Sequence, residues 1–456
     1  MENTDNTNKN NSIGEYVKGS IKSFTSSALV KLSMIGIMVL FLLIPRMWIE
    51  DLIDERHANL NEAESNIAQT WGKEQTVLGP ILMVPYKTVK VIDEKRYEKM
   101  NTAYFLPETL QVEGAITPKN RYRGIYNVLV YQSAIQLSGN YKRPDFTSIQ
   151  PDSSMVLWNK SKVVFNVSDI TAIKSDLQLE WDNQSFPIEN EIREEPYLNN
   201  ALVASVDMTN LQASYTFQLS LALNGSKELA FIPVGKTTEV QLEGAWPHPS
   251  FKGRYLPDEH NISEKGFLAN WKVYHLNRSF PQYWKTGVPD FYGYDIGLSL
   301  FEPVNDYVSN YRSIKYAVLT IVLTFLTYFF IEIFVRQKFH LVQYLLTGCS
   351  LLIFYILLLS LSEHFGFTSA FVIASFLNIG LIGFYTFGFI KVTKYRLVFI
   401  GMLSGLYTYV YAMLQAEVFA LLIGSIGLFV VLAIVMIASR KIDWYNLTQN
   451  KIVETN

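Results

Sequence analysis

Glu363 and His364 stand side by side in SLSEHFGF, Ser360–Phe367, between two long apolar runs. A carboxylate beside an imidazole can exchange a proton near neutral pH or contribute to a metal site. A metal site needs three or four convergent ligands, and this stretch holds a single histidine. The other histidines, His57, His248, His260, His275 and His340, are scattered along the chain. Convergence of His248, His260 and His275 in space is left open by the sequence. There is no G-x-S-x-G elbow, no P-loop, no H-E-x-x-H and no clustered Cys/His set. The chain is therefore read as non-enzymatic, with no catalytic residue, no cofactor and no metal.

Two further groups invite a role. WPHPSFKGRYLP, Trp246–Pro257, is rich in aromatics, Pro and Gly. It suits either the lining of a groove or a rigid irregular loop on a sheet; Trp246 and His248 are its candidate interaction residues. Glu332 and Asn378 lie inside apolar segments, where polar residues often mark a transport path. Snorkelling of Glu332, or a pair with Arg336 one turn on, would also explain it. An interhelical hydrogen bond would explain Asn378.

What these residues do depends on where a membrane lies. The 456 residues are 49% hydrophobic with a mean hydropathy of +0.13, but the apolar content is uneven. About 18 or more apolar residues suffice to cross a hydrocarbon core as a helix. The first such stretch is Lys31–Ile49. It continues through Pro45, Arg46, Met47 and Trp48 in place of small residues, so an uncleaved anchor is expected rather than a signal peptide. Five more candidates follow at about Tyr316–Val335, Leu341–Leu361, Phe367–Ile390, Leu397–Leu414 and Val418–Ser439. Their short links, RQKFH, SEHFG, KVTKYR and QAE, make antiparallel neighbours.

Charge then orients the bundle. RQKFH and KVTKYR carry Arg336, Lys338, Lys391, Lys394 and Arg396, whereas SEHFG and QAE carry no Lys or Arg. Lys18, Lys22 and Lys31 flank the first span and Arg440 and Lys441 the last. Six spans from a cytoplasmic N-terminus put every basic link inside, without exception. Both termini are then cytoplasmic, and Glu363 and His364 fall at an outer turn. That turn reads as a solvated tip, or as a polar pair that contacts an outer domain or responds to external pH. The net charge of −2 decides nothing by itself.

The expected architecture is an α + β membrane protein. It comprises a disordered Asn-rich tail (1–30), a first transmembrane helix (31–49), a large extracytoplasmic domain (50–314), a five-helix membrane domain (315–439) and a cytoplasmic tail (440–456). The outer domain lies between helices 1 and 2. Ile49, Leu52, Ile53, Leu60, Ala63, Ile67 and Trp71 follow helical spacing, so a juxtamembrane helix over 50–71 should continue the first span. From Arg46 to Trp71 it would reach about 39 Å at 1.5 Å per residue. Beyond Gly79-Pro80 the period becomes two: Tyr215, Phe217, Leu219, Leu221 and Leu223 alternate with mostly polar residues. KVVFNV and EVQLEG repeat the pattern, which predicts a β-rich domain, sandwich-like or of stacked sheets. The lone cysteine, Cys349, excludes an intramolecular disulfide, and about 265 residues suffice to build a core without one.

Several motifs together carry a family resemblance. They are LLIP (Leu42–Pro45), LGP (Leu78–Pro80), FLPE (Phe105–Glu108), WPHPSF (Trp246–Phe251), SEKGF (Ser263–Phe267), KYAVL (Lys315–Leu319), QYLL (Gln343–Leu346), SLSEHFGF and KIDWY (Lys441–Tyr445). In this order and spacing the chain resembles the CreD family of bacterial inner-membrane proteins, from about residue 30 onward. The Asn-rich tail is longer than the resemblance leads one to expect. The resemblance implies an inner-membrane protein linked to envelope integrity, often under a Cre two-component system. It implies no reaction and brings no catalytic residue. The expected partners are the lipid bilayer and an envelope protein, lipid or glycan, with no nucleic acid; the oligomeric state stays open. The alternative is a small-molecule or lipid transporter gated by the outer domain, which requires Asn378, Glu332 and Gln343 to face one cavity. A membrane-embedded enzyme would require outer histidines and carboxylates to converge.

Overall fold

The computed structural model describes residues 28–92, 95–146, 155–192, 200–285, 287, 289–300, 306–416, 419–440 and 442. The expected tail before residue 28, with Lys18 and Lys22, lies outside the described residues. So do Lys441 and the C-terminal tail, Ile442 excepted. The chain divides into two compact units, one of residues 60–303 and one of residues 1–59 with 304–456.

Among the described residues the first unit has seventeen strands. They are β1 (Gln75–Ile92), β2 (Lys95–Phe105), β3 (Thr109–Arg123), β4 (Tyr126–Lys142), β5 (Ser161–Val167), β6 (Gln178–Trp181), β7 (Gln184–Pro187), β8 (Glu189–Ile192) and β9 (Asn200–Val206). Then come β10 (Ser214–Ser226), β11 (Glu228–Phe231), β12 (Thr237–Gly244), β13 (Pro249–Gly253), β14 (Glu259–Ser263), β15 (Gly266–Tyr274), β16 (Tyr283–Trp284) and β17 (Ile296–Leu300). A nine-stranded sheet runs β13-β17-β11-β1-β5-β9-β8, with β2 on β1 and β16 on β2. An eight-stranded sheet runs β14-β15-β12-β3-β4-β10-β6-β7. Both are mixed, since β11 joins β1 and β12 joins β3 in parallel.

The two sheets differ in how their faces are covered. In β10 the residues Tyr215, Phe217, Leu219, Leu221 and Leu223 are buried while the intervening positions through Ser220 are exposed. One face of a strand is covered and the other wet, as period-two patterning demands. By contrast Val77–Val84 of β1 is buried without a break, the signature of a strand covered on both faces. Residues of both sheets join a single apolar cluster. Around it Phe146, Trp158, Trp284 and Phe291 pack ring against ring with Tyr86, Tyr104 and Phe105.

The second unit is helical. Helix α1 (Ala28–Trp71) is one continuous run of 44 residues through Pro45, and its last residues, from Leu60, belong to the β unit. A short helix α2 (Asp306–Lys315), which hydropathy alone does not signal, precedes α3 (Ala317–Val335). Then follow α4 (Leu341–Phe365), α5 (Phe367–Phe387), α6 (Thr393–Gln415) and α7 (Ala420–Arg440). Helices α1 and α3 to α7 are long and apolar enough to cross a membrane. Helix α4 runs four residues beyond its expected end, so the SEHFG link shrinks to Gly366, whose φ of 73° turns the chain into α5. Helix α4 also packs closely: a Cβ on Gly348 would lie 2.3 Å from Leu42 of α1 and 2.9 Å from Phe325 of α3. Phe376, Phe384 and Leu421 remain 78%, 79% and 87% exposed, as suits side chains that meet lipid.

Close approach also governs β4. Gly139 faces Leu110 of β3, and a Cβ there would sit 2.0 Å from the Thr109 carbonyl oxygen. That oxygen is backbone and cannot swing aside. Gly139→Ala is therefore expected to destabilise the folded chain by about 1–3 kcal/mol. Ser138→Ala, on the adjacent polar face, should change stability by less than about 0.5 kcal/mol. Thermal unfolding of the two purified variants, followed by tryptophan fluorescence, checks this; equal midpoints would refute it.

Candidate functional site

The wet face of the eight-stranded sheet is set by strand register. Glu259, Asn270, Gln241, Glu113, Gln136 and Ser220 stand opposite one another in turn across β14, β15, β12, β3, β4 and β10. One step along the strands, Lys272, Glu239, Gln111, Ser138, Gln218 and Glu180 form a second polar row. One step the other way, Glu243, Ala115, Ala134 and Ala222 form a third row with small side chains. The alternate residues Val112, Ile135, Leu221, Val240 and Leu242 are buried beneath. Because side chains alternate faces, each polar row is the necessary companion of a core row.

These rows line two adjoining hollows of about 470 Å³ and 450 Å³ that share Glu113 and Gln241. Six carboxylates (Glu113, Asp176, Glu239, Glu243, Asp258 and Glu259) and one lysine, Lys272, line them. Lys272 is already engaged: its Nζ lies 2.7 Å from Glu239 Oε1, and its backbone N–H donates to Asp258 Oδ2 at 2.7 Å. The hydrogen bond and charge of Glu239 raise the Lys272 pKa. The trough therefore offers carboxylate and amide acceptors around an alanine-lined stretch that lets a ligand approach the backbone. It suits a partner rich in hydroxyl or ammonium donors. Among the described residues no three His, Cys, Asp or Glu side chains are arranged to hold a metal ion. The trough escaped the sequence reading, although the polar positions of EVQLEG and of TLQVEGA in β3 carry its signal.

The sequence-derived candidates fall elsewhere. Trp246 Nε1 donates to the His248 carbonyl at 3.1 Å, and its ring packs partly on the core, so this stretch folds upon itself. His260 lies against Phe251, with ring centroids 5.3 Å apart, and His275 opens a 3₁₀ turn after β15.

In the helical unit Glu363 and His364 part company. Both are helical, because α4 extends through Phe365, and consecutive helical residues point in different directions. Glu363 is 11% exposed; it accepts from Tyr307 Oη of α2 at 3.0 Å and lies 4.0 Å from Arg56 Nε of α1. The His57 ring stacks on Tyr307 at 6.2 Å. His364 is exposed, with its ring edge toward Phe365. Ser362, which a loop would have left wet, is 2% exposed and accepts from Asn310 Nδ2 at 2.8 Å. The expected solvated tip is therefore corrected to a helix end docked on α2.

Glu332 does not take up Arg336. Its carboxylate is held by Lys31 Nζ of α1 and by Tyr344 Oη at 3.2 Å, and Lys31 also donates to the Phe339 carbonyl at 2.7 Å. Arg336 instead closes α3 in a left-handed conformation, φ 54°. Asn378 makes interhelical bonds: it accepts from Ser350 Oγ of α4 and donates to Tyr407 Oη of α6 at 2.7 Å. Gln343 accepts from the His340 N–H at 3.0 Å, capping α4. Glu332, Asn378 and Gln343 thus serve three separate sets of partners. In the β unit, Arg278 was missed altogether. It is 8% exposed, donates to the carbonyls of Phe280 and Val234 at 2.8 and 3.0 Å, and burial lowers its pKa to about 10.

Asp306, at the start of α2, accepts from the Phe367 N–H that opens α5, at 3.0 Å. Burial, opposed by that hydrogen bond, raises its pKa above the ordinary aspartate value. The folded chain then holds this proton more tightly than the unfolded chain. Stability should fall as pH rises from the ordinary value to the raised one, and level off above it. Asp306→Asn, which keeps an acceptor for Phe367, is expected to flatten that part of the profile. Melting midpoints of detergent-solubilised protein between about pH 4 and pH 7 test this. Parallel profiles for the two proteins would exclude Asp306 as the source.

Comparison with known proteins accords with this architecture. The family described as inner membrane protein CreD matches residues 27–445. Inner membrane protein CreD of Escherichia coli (strain K12) is 31% identical over 422 residues, which cover 91% of this chain and 93% of that protein. Among solved structures, an M1 zinc metallopeptidase of Deinococcus radiodurans aligns with 43% of this chain and 42% of its own, at 9% identity and a TM-score of 0.21. Native yeast LTA4 hydrolase aligns with 44% of this chain and 30% of its own, at 9% identity and a TM-score of 0.20. Likeness at that level carries no functional weight. Matched along nearly its whole length, and with six helices apolar enough to span a bilayer, the chain belongs to the CreD family of multi-pass inner membrane proteins.

Proposed function

We propose that this CreD-family protein supports the cell envelope without catalysing a reaction, its β unit binding a donor-rich envelope polymer, a glycan in the first instance. The β unit stands outside the cytoplasm as an insertion between the first and second spans, and both termini are cytoplasmic. The observation that carries the binding reading is the trough. Its central polar row crosses six strands, about 24 Å at the spacing of neighbouring strands. A row of that length, open along one side, matches an extended chain better than a compact metabolite. Charge supports the orientation: the links after α3 and α5 hold Arg336, Lys338 and Lys391, while Gly366 and the residues after α6 hold no cation before Arg440. The pairing of Glu332, Asn378 and Gln343 with their own separate neighbours supports a packed anchor over a conducting path.

Orientation is tested in a Cys349→Ala background. Single cysteines replacing the exposed His364 and Gln415 should react with an impermeant maleimide in intact cells, and those replacing Lys338 and Thr393 should not. The reverse pattern would invert the topology.

Binding is tested by native mass spectrometry of the gently solubilised full-length protein. A co-purifying component is expected, reduced at least about tenfold, equivalent to 1.4 kcal/mol, in Glu113→Lys/Gln241→Lys. Both side chains are on the wet face, so the melting midpoint should hold. No component, or undiminished retention by the variant, would sink the trough reading.

A further inference from the structure

The β3–β4 hairpin outgrows its sheet. Strand β12 pairs with β3 as far as Ile116, and β10 pairs with β4 as far as Val130. Beyond those points β3 and β4 pair only with each other, through Arg123 and Tyr126. Seven residues of β3 and four of β4 lie beyond those points, so the finger stands clear of both neighbours for four residue pairs, roughly 13 Å at 3.3 Å per residue. Gly124, φ 61°, makes its tip.

The composition of this finger is unlike the rest of the sheet. From Gly114 to Pro144 there is no Asp or Glu, while Lys119, Arg121 and Arg123 fall at alternate positions. They share one face with their cross-strand partners Val130, Val128 and Tyr126. Tyr122 is 71% exposed and Ile125 46% exposed. Such an exposed two-stranded ribbon would be marginal alone, and here it is braced. Trp71 Nε1 donates to the Tyr131 carbonyl at 3.1 Å, the Arg121 guanidinium lies 4.1 Å over the Trp71 ring, and Ile67 packs with Val128 and Val130. Ile67 and Trp71 of α1 thus hold the ribbon through Arg121, Val128, Val130 and Tyr131. The root is fixed and the tip is presented.

Cations interleaved with tyrosine and followed by isoleucine are the chemistry of an anionic bilayer surface. Each Lys or Arg near such a surface contributes about 1 kcal/mol, and tyrosine favours the headgroup level. Two narrow exposed strands offer too little area for a stable protein interface. We infer that the tip of the β3–β4 finger, with Tyr122, Arg123 and Ile125, docks on anionic phospholipid headgroups. This contact is additional to the trough and does not depend on what the trough binds.

The test uses full-length Cys349→Ala protein with an environment-sensitive dye on a single cysteine replacing Ile125. The protein is placed in nanodiscs of phosphatidylcholine with phosphatidylglycerol, or of phosphatidylcholine alone. Nanodiscs offer the same lipids on both faces, so the result is independent of topology in the cell. The dye should shift to the blue and be quenched by headgroup-spin-labelled lipid in the anionic discs, and added salt should reverse both effects. A dye replacing the exposed Ser185, in β7, should show neither. Arg123→Gln should lower the docking constant about fivefold, equivalent to ~1 kcal/mol per cation. The wild-type lipid comparison stands whether or not that variant folds. Equal signals in neutral and anionic discs, or equal signals at Ile125 and Ser185, would overturn the proposal. A shift that appears only when two copies share a disc would overturn it too, and would assign the finger to contact between copies.

Discussion

Hydrocarbon offers no hydrogen-bond partner, so a polar side chain that the helical unit carries inward gains by bonding to its own backbone or to another helix. Helix α4 bears most of this demand and distributes it. Near its start Tyr344 meets Glu332 of α3, which also binds Lys31 of α1. Along it Thr347 approaches Tyr328 of α3, and Ser350 reaches Asn378 of α5, which continues to Tyr407 of α6. At its end Ser362 and Glu363 meet Asn310 and Tyr307 of α2. The polar residues that first suggest transport or catalysis are thereby consumed as joints. Their partners lie on different helices, so they fix helix order and register as well as stability.

The β unit meets the opposite constraint. It has water on its surface and no disulfide, since the single cysteine lies on α4. Its stability rests on one large apolar cluster drawn from both sheets. The nine-stranded sheet is covered on both faces at its centre and so has little surface to offer a partner. The eight-stranded sheet leaves one face wet, and there the obligatory polar companions of the core rows line up into a trough. What packing leaves over is an open face with acceptors in register and alanines between them.

In this CreD-family chain the proposed tasks separate by chemistry. Apolar helices with internal polar joints are long enough to hold the chain in the inner membrane. The acidic, amide-lined sheet face is the proposed site for a donor-rich component. The basic finger is the proposed contact with the lipid surface. The trough's six carboxylates and the finger's cations stand on the same mixed sheet.

Much of this was legible in one dimension. Hydropathy marked six apolar segments, each of which lies in a helix long enough to cross a bilayer, because the hydrocarbon requirement is a sum over consecutive side chains. Period-two alternation announced β structure and the buried residues of β10, because strand geometry ties each side chain to its parity. The ordered motifs from LLIP to KIDWY announced the family. The partner of each polar residue stayed hidden, since partners are chosen by folding and are unrelated to sequence distance. Glu332 passed over Arg336, four residues away, for Lys31, 301 residues away. Glu363 and His364, adjacent in sequence, parted because α4 kept its helical twist to Phe365. The trough rows needed the pairing of β12 with β3 and of β3 with β4, a register no single strand contains. Local patterns of burial belong to the sequence; which side chains meet was decided only when distant segments packed.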